Sequence, residues 1–481
     1  MHQPQPQQPP VPAFEAQPRF DAVPAPAQWR YRPRRARWDN RMVRAGALVI
    51  LLALCGLVIL ALVREQTGTE GFVVGLGLAV LPVPLLVAAF RWLDRVEPEP
   101  WRNLAFAFAW GACAATLVAV LANGFAADWV ASAAGATSRK QADAWAATFV
   151  APVVEESAKG AALLLLFLFR RRDFDGIVDG VVIAGITATG FAFTENILYL
   201  GNAFGEDQLL GYSGLASTTA ATFFVRIVMS PFAHPLFTAL TGIGFGIASV
   251  AASRQRLRRV FLPVTGLLAA MVVHGLWNGS AGLGGYQFIA VYSLFMVPVF
   301  GLLIWLVVWS RNNELKTVRT HLPAYVAAGW LTPVEPQALS SMRTRSFARG
   351  YARRSLGPAA AHAVAEYQSL ATALAFLRRR AHRGAVGADF AAREQELLHH
   401  LWQRKAVARP ALAHAAQVTA PVRVPPRTPL PPQWHSAPGR HPGPAPQHPP
   451  GHGDPYGAAG QHPFAPPPYG PPPGARPPRN P

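Results

Sequence analysis

Long apolar runs alternate with short basic breaks over residues 43–309, and this rhythm sets the expectation for the fold. A run of about 20 apolar residues crosses the hydrocarbon core of a bilayer as a helix. Eight spans are predicted, at 43–63, 71–90, 103–125, 148–169, 177–200, from Pro231 onward, 261–280 and 289–309. The apolar stretch 218–252 would be about 52 Å long as one helix, too long for a single span. Pro231 and Pro235 offer a break, because proline donates no helical hydrogen bond, and Arg226 argues against deep insertion of the first half. A re-entrant or interfacial piece is therefore expected before the sixth span. The fold class is all-α: a polytopic membrane helix bundle of residues 43–310, followed by a soluble helical region at 311–405. Helices are expected there at 336–353, 358–380 and 388–404, the last two as a hairpin across the Gly384–Gly387 turn. The Pro/Gln-rich and then basic residues 1–42 and the Pro/Gly/His-rich residues 406–481 are expected to be disordered.

Composition agrees with a membrane protein: of 481 residues, 51% are hydrophobic and 14% charged, with a formal net charge of +19. The excess arginine gathers in breaks at 30–44, 91–102, 170–172, 254–259 and just past 310. With eight spans all these clusters fall on one side, which the positive-inside rule makes cytoplasmic. Both termini are then expected inside, in the plasma membrane of a bacterium. No nucleic-acid-binding module is recognisable, so the charge is read as topology, with the lipid bilayer as partner. Cys55 and Cys113 lie in apolar runs, and two cysteines exclude a disulfide framework. No cleavable leader is expected, and the first span should do the targeting.

The informative residues are the polar ones that interrupt the apolar runs. Glu155, Glu156 and Lys159 fall within about one turn of the fourth span. Each charge at a bilayer centre costs roughly 2.5–3.5 kcal/mol on insertion scales, so three together call for a reason. Lys159 stands at i+4 from Glu155 and i+3 from Glu156 and can pair with either, leaving a carboxylate to act as a general base. A structural ion pair that pins helix packing is the plain alternative. Glu195 on the fifth span, His234 on the sixth, and His274 and Asn278 on the seventh add polar groups on successive helices. All are expected in the external half of the bilayer, roughly 5–15 Å from the outer ends of their spans. Similar depth on neighbouring helices is what one buried site requires.

The strings E-E-S-A-K at 155–159, F-A-F-T-E-N at 191–196, H-P-L-F-T from His234 and H-G-L-W-N at 274–278 resemble the PrsW family of intramembrane proteases. They are also similar to the wider group of CAAX prenyl endopeptidases and bacteriocin-processing proteins. The resemblance implies endoproteolysis of a transmembrane protein substrate, such as a membrane-anchored anti-sigma factor. It further implies that a glutamate of the 155/156 pair, Glu155 first, activates water. Glu195 would help to orient that water where CAAX enzymes carry histidine, and His274 and Asn278 would stabilise the oxyanion. No cofactor is required by this reading. A divalent metal such as zinc is the alternative, held by Glu156, His234 and His274 with Glu155 as base. No H-E-x-x-H motif is present to fix two ligands on one helical turn. Two non-protease readings stay open: a non-catalytic membrane scaffold, and a proton or ion transporter using the glutamates as a relay. The oligomeric state is not encoded in any recognisable motif. The rhomboid-like string G-Y-S-G at 211–214 falls in an expected external loop and carries no weight.

Overall fold

A computed structural model describes residue 26 and residues 41–133, 138–170, 174, 176–251, 255–384 and 389–420. Of the segments expected to be disordered, 1–42 and 406–481, residues 1–25, 27–40 and 421–481 lie outside the described residues. The described chain is helical and contains no strand. Helix α1 (Arg41–Ala79) and α2 (Pro82–Leu93) come first, then α3 (Trp101–Ala109), which passes through a π-helical stretch (Trp110–Ala115) into α4 (Thr116–Ala133). Helix α5 (Arg139–Trp145) leads through a second π stretch (Ala146–Val150) into α6 (Ala151–Phe169), and α7 (Ile177–Leu210) follows. Next are α8 (Thr218–Phe223) with its π extension (Phe224–Met229), α9 (Ala233–Ser249) and α10 (Arg256–Ala281). Helix α11 (Gly285–Val291) and a fourth π stretch (Tyr292–Met296) precede α12 (Val297–His321).

Six helical runs are long and apolar enough to cross a membrane by length and composition, making the chain a multi-pass helical membrane protein. That number differs from eight for two physical reasons. The run Val43–Leu93 covers two expected spans, whose break falls at Gly68, where φ is 70° and two helices meet inside α1. Helix α6 stands outside the six, and it holds Glu155, Glu156 and Lys159 within its 19 residues. The expected proline break is seen at Ser230–Phe232: the π stretch ends at Met229, and Pro235 sits in the first turn of α9.

Helix α7 is the axis of the bundle, and every residue from Val178 to Ala192 is buried. Such burial needs neighbours at backbone contact, and glycines supply it. A Cβ added at Gly180 would lie 2.0 Å from the Gly242 carbonyl oxygen of α9, and one at Gly111 would lie 1.9 Å from that of Thr187. In lipid, where tails are as apolar as leucine, close packing of small residues is what holds helices together. The π stretch at 110–115 widens the helix beside α7, and Thr194 Oγ1 donates to the Ala112 carbonyl at 2.8 Å. Trp110 Nε1 donates to Ala158 O at 2.9 Å, fastening this region to α6.

Beyond the last apolar run, α12 continues unbroken into a second bundle. It joins α13 (Pro323–Ala327), α14 (Glu335–Leu339), α15 (Met342–Leu356), α16 (Pro358–His382) and α17 (Phe390–Thr419). Their core includes Val318, Tyr325, Trp330, Tyr367, Leu374, Leu398, Leu401 and Leu412. The expected onset of disorder at residue 406 is corrected, since α17 runs to Thr419. Its last three to four turns bury Ala408, Ala411, Leu412 and Ala415, a helical spacing that the neighbouring proline and histidine obscured. Pro410 is tolerated inside this helix. Arg345 of α15, 1% exposed, donates to Leu339 O, to Thr372 Oγ1 and, at 2.8 Å, to Val96 O in the loop between α2 and α3. Burial, with Arg349 nearby, lowers its pKa to about 10, so it remains a cation at neutral pH.

Candidate active site

Helix α6 opens with Pro152 in its first turn, where a missing N–H costs nothing, and winds Glu155, Glu156 and Lys159 onto its inward face. Lys159 is wholly buried, and its Nζ lies 3.2 Å from Glu155 Oε2 and 3.0 Å from Glu156 Oε1. The same ammonium sits 3.2 Å from His234 Nδ1 and 3.7 Å above the Phe191 ring. Desolvation of so buried a cation is tolerable only with partners of this kind.

The two glutamates differ sharply in how they are used. Both Glu156 oxygens are taken: Oε1 by Lys159 and by His274 Nδ1 at 3.0 Å, and Oε2 by Thr238 Oγ1 at 2.8 Å. Glu155 keeps looser partners. Its Oε1 accepts from Asn123 Nδ2 of α4 at 3.3 Å, and its Oε2 stands 3.8 Å from His274 Nε2, beyond hydrogen-bond range.

Glu195 of α7 is the third carboxylate. Its Oε2 lies 2.7 Å from His234 Nε2 and 2.5 Å from Arg226 Nη2, while Arg226 Nε donates to Asn196 Oδ1 at 2.7 Å. The Arg226 guanidinium also covers the Tyr199 ring at 4.0 Å. With an ammonium facing Nδ1, His234 accepts there and places its proton on Nε2, toward Glu195. His274 lies against Phe237, ring centroids 4.7 Å apart, and its ring is perpendicular to that of His234 at 5.3 Å. Three carboxylates thus face two fixed cations, a balance that leaves room for one more positive charge.

Glu155, Glu156, Lys159, Glu195, His234 and His274 therefore meet at one place, contributed by α6, α7, α9 and α10. Asn278 does not join them. Its Nδ2 donates to the Ala147 carbonyl at 2.9 Å, so the i+4 relation to His274 leads to a helix-packing bond. Asn123 and the pairing of Arg226 with Glu195 were missed by the sequence reading. Asn123 carried a usable signal, since it is a carboxamide inside an otherwise apolar run, as Glu195 is among apolar neighbours.

Glu155, His234 and His274 each offer a ligand atom, and these atoms lie within 4.8 Å of one another. Two imidazoles and a carboxylate are a donor set that suits catalytic zinc, and the surplus negative charge suits a cation. The expected set named Glu156 with the two histidines; here the oxygens of Glu156 are bonded to Lys159, His274 and Thr238, and Glu155 is the carboxylate grouped with both imidazoles. The Lys159 ammonium, 3.2 Å from both Glu155 and His234, is the cation already among these donors.

A multi-pass helical bundle that gathers carboxylates, imidazoles and a lysine at one buried point has the groups that acid–base chemistry inside a membrane requires. Residues 99–303 match the family described as PrsW family intramembrane metalloprotease. The chain is also 25% identical over 259 residues to Protease PrsW of Geobacillus kaustophilus (strain HTA426), covering 54% of this chain and 96% of that protein. No solved structure matches significantly. The membrane region of this chain is thus similar to the PrsW-family intramembrane proteases, and the two matches support a peptidase.

Proposed function

We propose that the chain hydrolyses a peptide bond of a transmembrane protein near the outer membrane face, with Glu155 as the general base. The observation that carries this reading is the contrast between the two glutamates: Glu156 is saturated, while Glu155 retains a gap toward His274. A water between Glu155 and His274 would lose a proton to Glu155 and attack the carbonyl carbon, and Glu155 would return the proton to the leaving amine. Glu156 fixes the ring of His274, which when protonated presents Nε2–H to the developing oxyanion. Glu195 holds His234 in the same way, and Lys159 supplies fixed positive charge. Asn278 has no part in this scheme.

The family description and the donor cluster favour a second reading in which a metal is resident. Glu155, His234 and His274 would hold it, zinc being the ion that suits them, and it would act as a Lewis acid on water or carbonyl. The two readings assign Glu155 differently, and metal analysis of the purified protein separates them. The family match favours either over the scaffold and ion-relay readings.

The arginine clusters support an orientation with both termini in the cytoplasm of a bacterial cell and the site toward the outer face. A membrane-anchored anti-sigma factor is the substrate class that the resemblance suggests. The test compares new protein N-termini in membranes carrying wild type or Glu155→Gln. Termini near outer ends of membrane segments, present only with wild type, are expected; identical profiles at equal expression would refute the assignment.

A further inference from the structure

We propose that Asn123 of α4 is a catalytic residue of this site, holding Glu155 through Nδ2 and accepting a hydrogen of the attacking water through Oδ1. The proposal rests on the reading of Glu155 as the base. Three observations carry it. Asn123 Nδ2 donates to Glu155 Oε1 at 3.3 Å, from a helix opposite α6. Its Oδ1 is buried, yet no hydrogen-bond donor among the described residues reaches it. Asn278, the carboxamide that was expected at the site, is committed to Ala147 O.

A buried amide oxygen without a partner is rare in proteins and calls for an explanation. Elsewhere in the site the acceptors are paired: Asn196 Oδ1 takes Arg226, and Glu156 Oε2 takes Thr238. The orphan oxygen shares its amide carbon with the nitrogen that holds the base. A water donating one hydrogen to Glu155 therefore has an acceptor within reach for the other. Held at both hydrogens, that water can direct only its lone pairs at a substrate carbonyl, which is the orientation that attack requires.

The balance of the step is simple. One water O–H bond breaks, its proton going to Glu155 and its electron pair staying on oxygen. That oxygen bonds the carbonyl carbon, whose π pair moves to the carbonyl oxygen. The second hydrogen stays on the new hydroxyl, hydrogen-bonded to Asn123 Oδ1. Collapse then breaks the C–N bond, and the Glu155 proton goes to the departing nitrogen.

The experiment follows the rate at which wild-type-dependent N-termini appear in membranes at matched expression of full-length protein. Asn123→Leu, close in volume but without donor or acceptor, is expected to slow that rate about 100-fold, the scale for removing one preorganised polar group. Asn123→Gln restores part of the rate, and Asn278→Ala costs less than Asn123→Leu. In the Glu155→Gln background, Asn123→Leu adds no further loss, as expected of groups acting on one water. A Glu155→Gln protein that is inactive beside an Asn123→Leu protein of wild-type rate overturns the role of Asn123 and leaves the base intact. Full activity of Glu155→Gln overturns both. Should Asn123→Leu fail to accumulate, Asn123→Ser and Asn123→Ala replace it under the same criteria.

Discussion

Two parts of this molecule bury charge, and they do it for different ends. In the C-terminal bundle the buried ions Glu335, Arg345, Arg378 and Glu394 are held by fixed partners. Glu394 accepts from Tyr325 at 2.7 Å and pairs with Arg378 at 2.9 Å, Glu335 accepts from Tyr367, and Arg345 is satisfied by two carbonyls and a hydroxyl. In the membrane bundle the network around α6 stops short of closure. Glu195 and His234 keep 14% and 12% of their side-chain surface, Glu155 stands off from His274, and Asn123 Oδ1 has no partner. Buried charge by itself therefore does not mark a site in this protein. What sets the α6 network apart is three carboxylates and two imidazoles gathered with a carboxamide oxygen left open among them.

The sharpest way to break the comparison is to neutralise one charged side chain at each place. Glu155→Gln is expected to lower cleavage about 10⁴-fold, the upper range for a general base, with little change in thermal stability. Arg378→Met should do the reverse. Leaving Glu394 buried and unpaired costs about 3–5 kcal/mol in denaturant unfolding, with the cleavage rate per folded molecule retained.

A smaller effect is expected between the bundles, at the loop after α2. Burial raises the pKa of Asp94 to about 7, despite its bonds to the Glu99 amide and to Arg91. The folded state then holds a proton that the unfolded state has released above about pH 4. Stability should fall as pH rises from about 4 to about 7 and level off above, by at most roughly 4 kcal/mol. Asp94→Asn should flatten that profile in thermal melts. Smallest of all is Glu366, whose pKa is lowered by Arg404 at 2.5 Å. Its contribution is present above about pH 4.5 and lost as pH falls through the lowered value. Because the pair is only half-buried and reaches solvent, Glu366→Gln should cost under about 1 kcal/mol and less in high salt.

The helical membrane fold and the meeting of α6, α7, α9 and α10 were legible because an ionisable residue in an apolar run is conspicuous. What was not legible depended on rotamer and helix phase. Glu155 and Glu156 are adjacent in sequence but point about 100° apart on a helix, so Glu156 is saturated by Lys159, Thr238 and His274 while Glu155 stands off from His274. Asn278 shares a helix face with His274 in principle, yet its amide finds Ala147 O first. The end of α17 was hidden for a different reason: alanines at 408, 411 and 415 carry little hydrophobic signal, and their burial comes from partners distant in sequence.

Helix α12 is at once the last membrane-crossing segment and the first member of the C-terminal bundle, and it runs through Val297–His321 without a break. With Arg345 clasping Val96 from the other side, the bundle is attached to the membrane body at two points. A fragment antibody raised against α16 or α17 would thus ride as a stiff fiducial, giving image alignment the asymmetric landmark that a small detergent-embedded enzyme otherwise lacks.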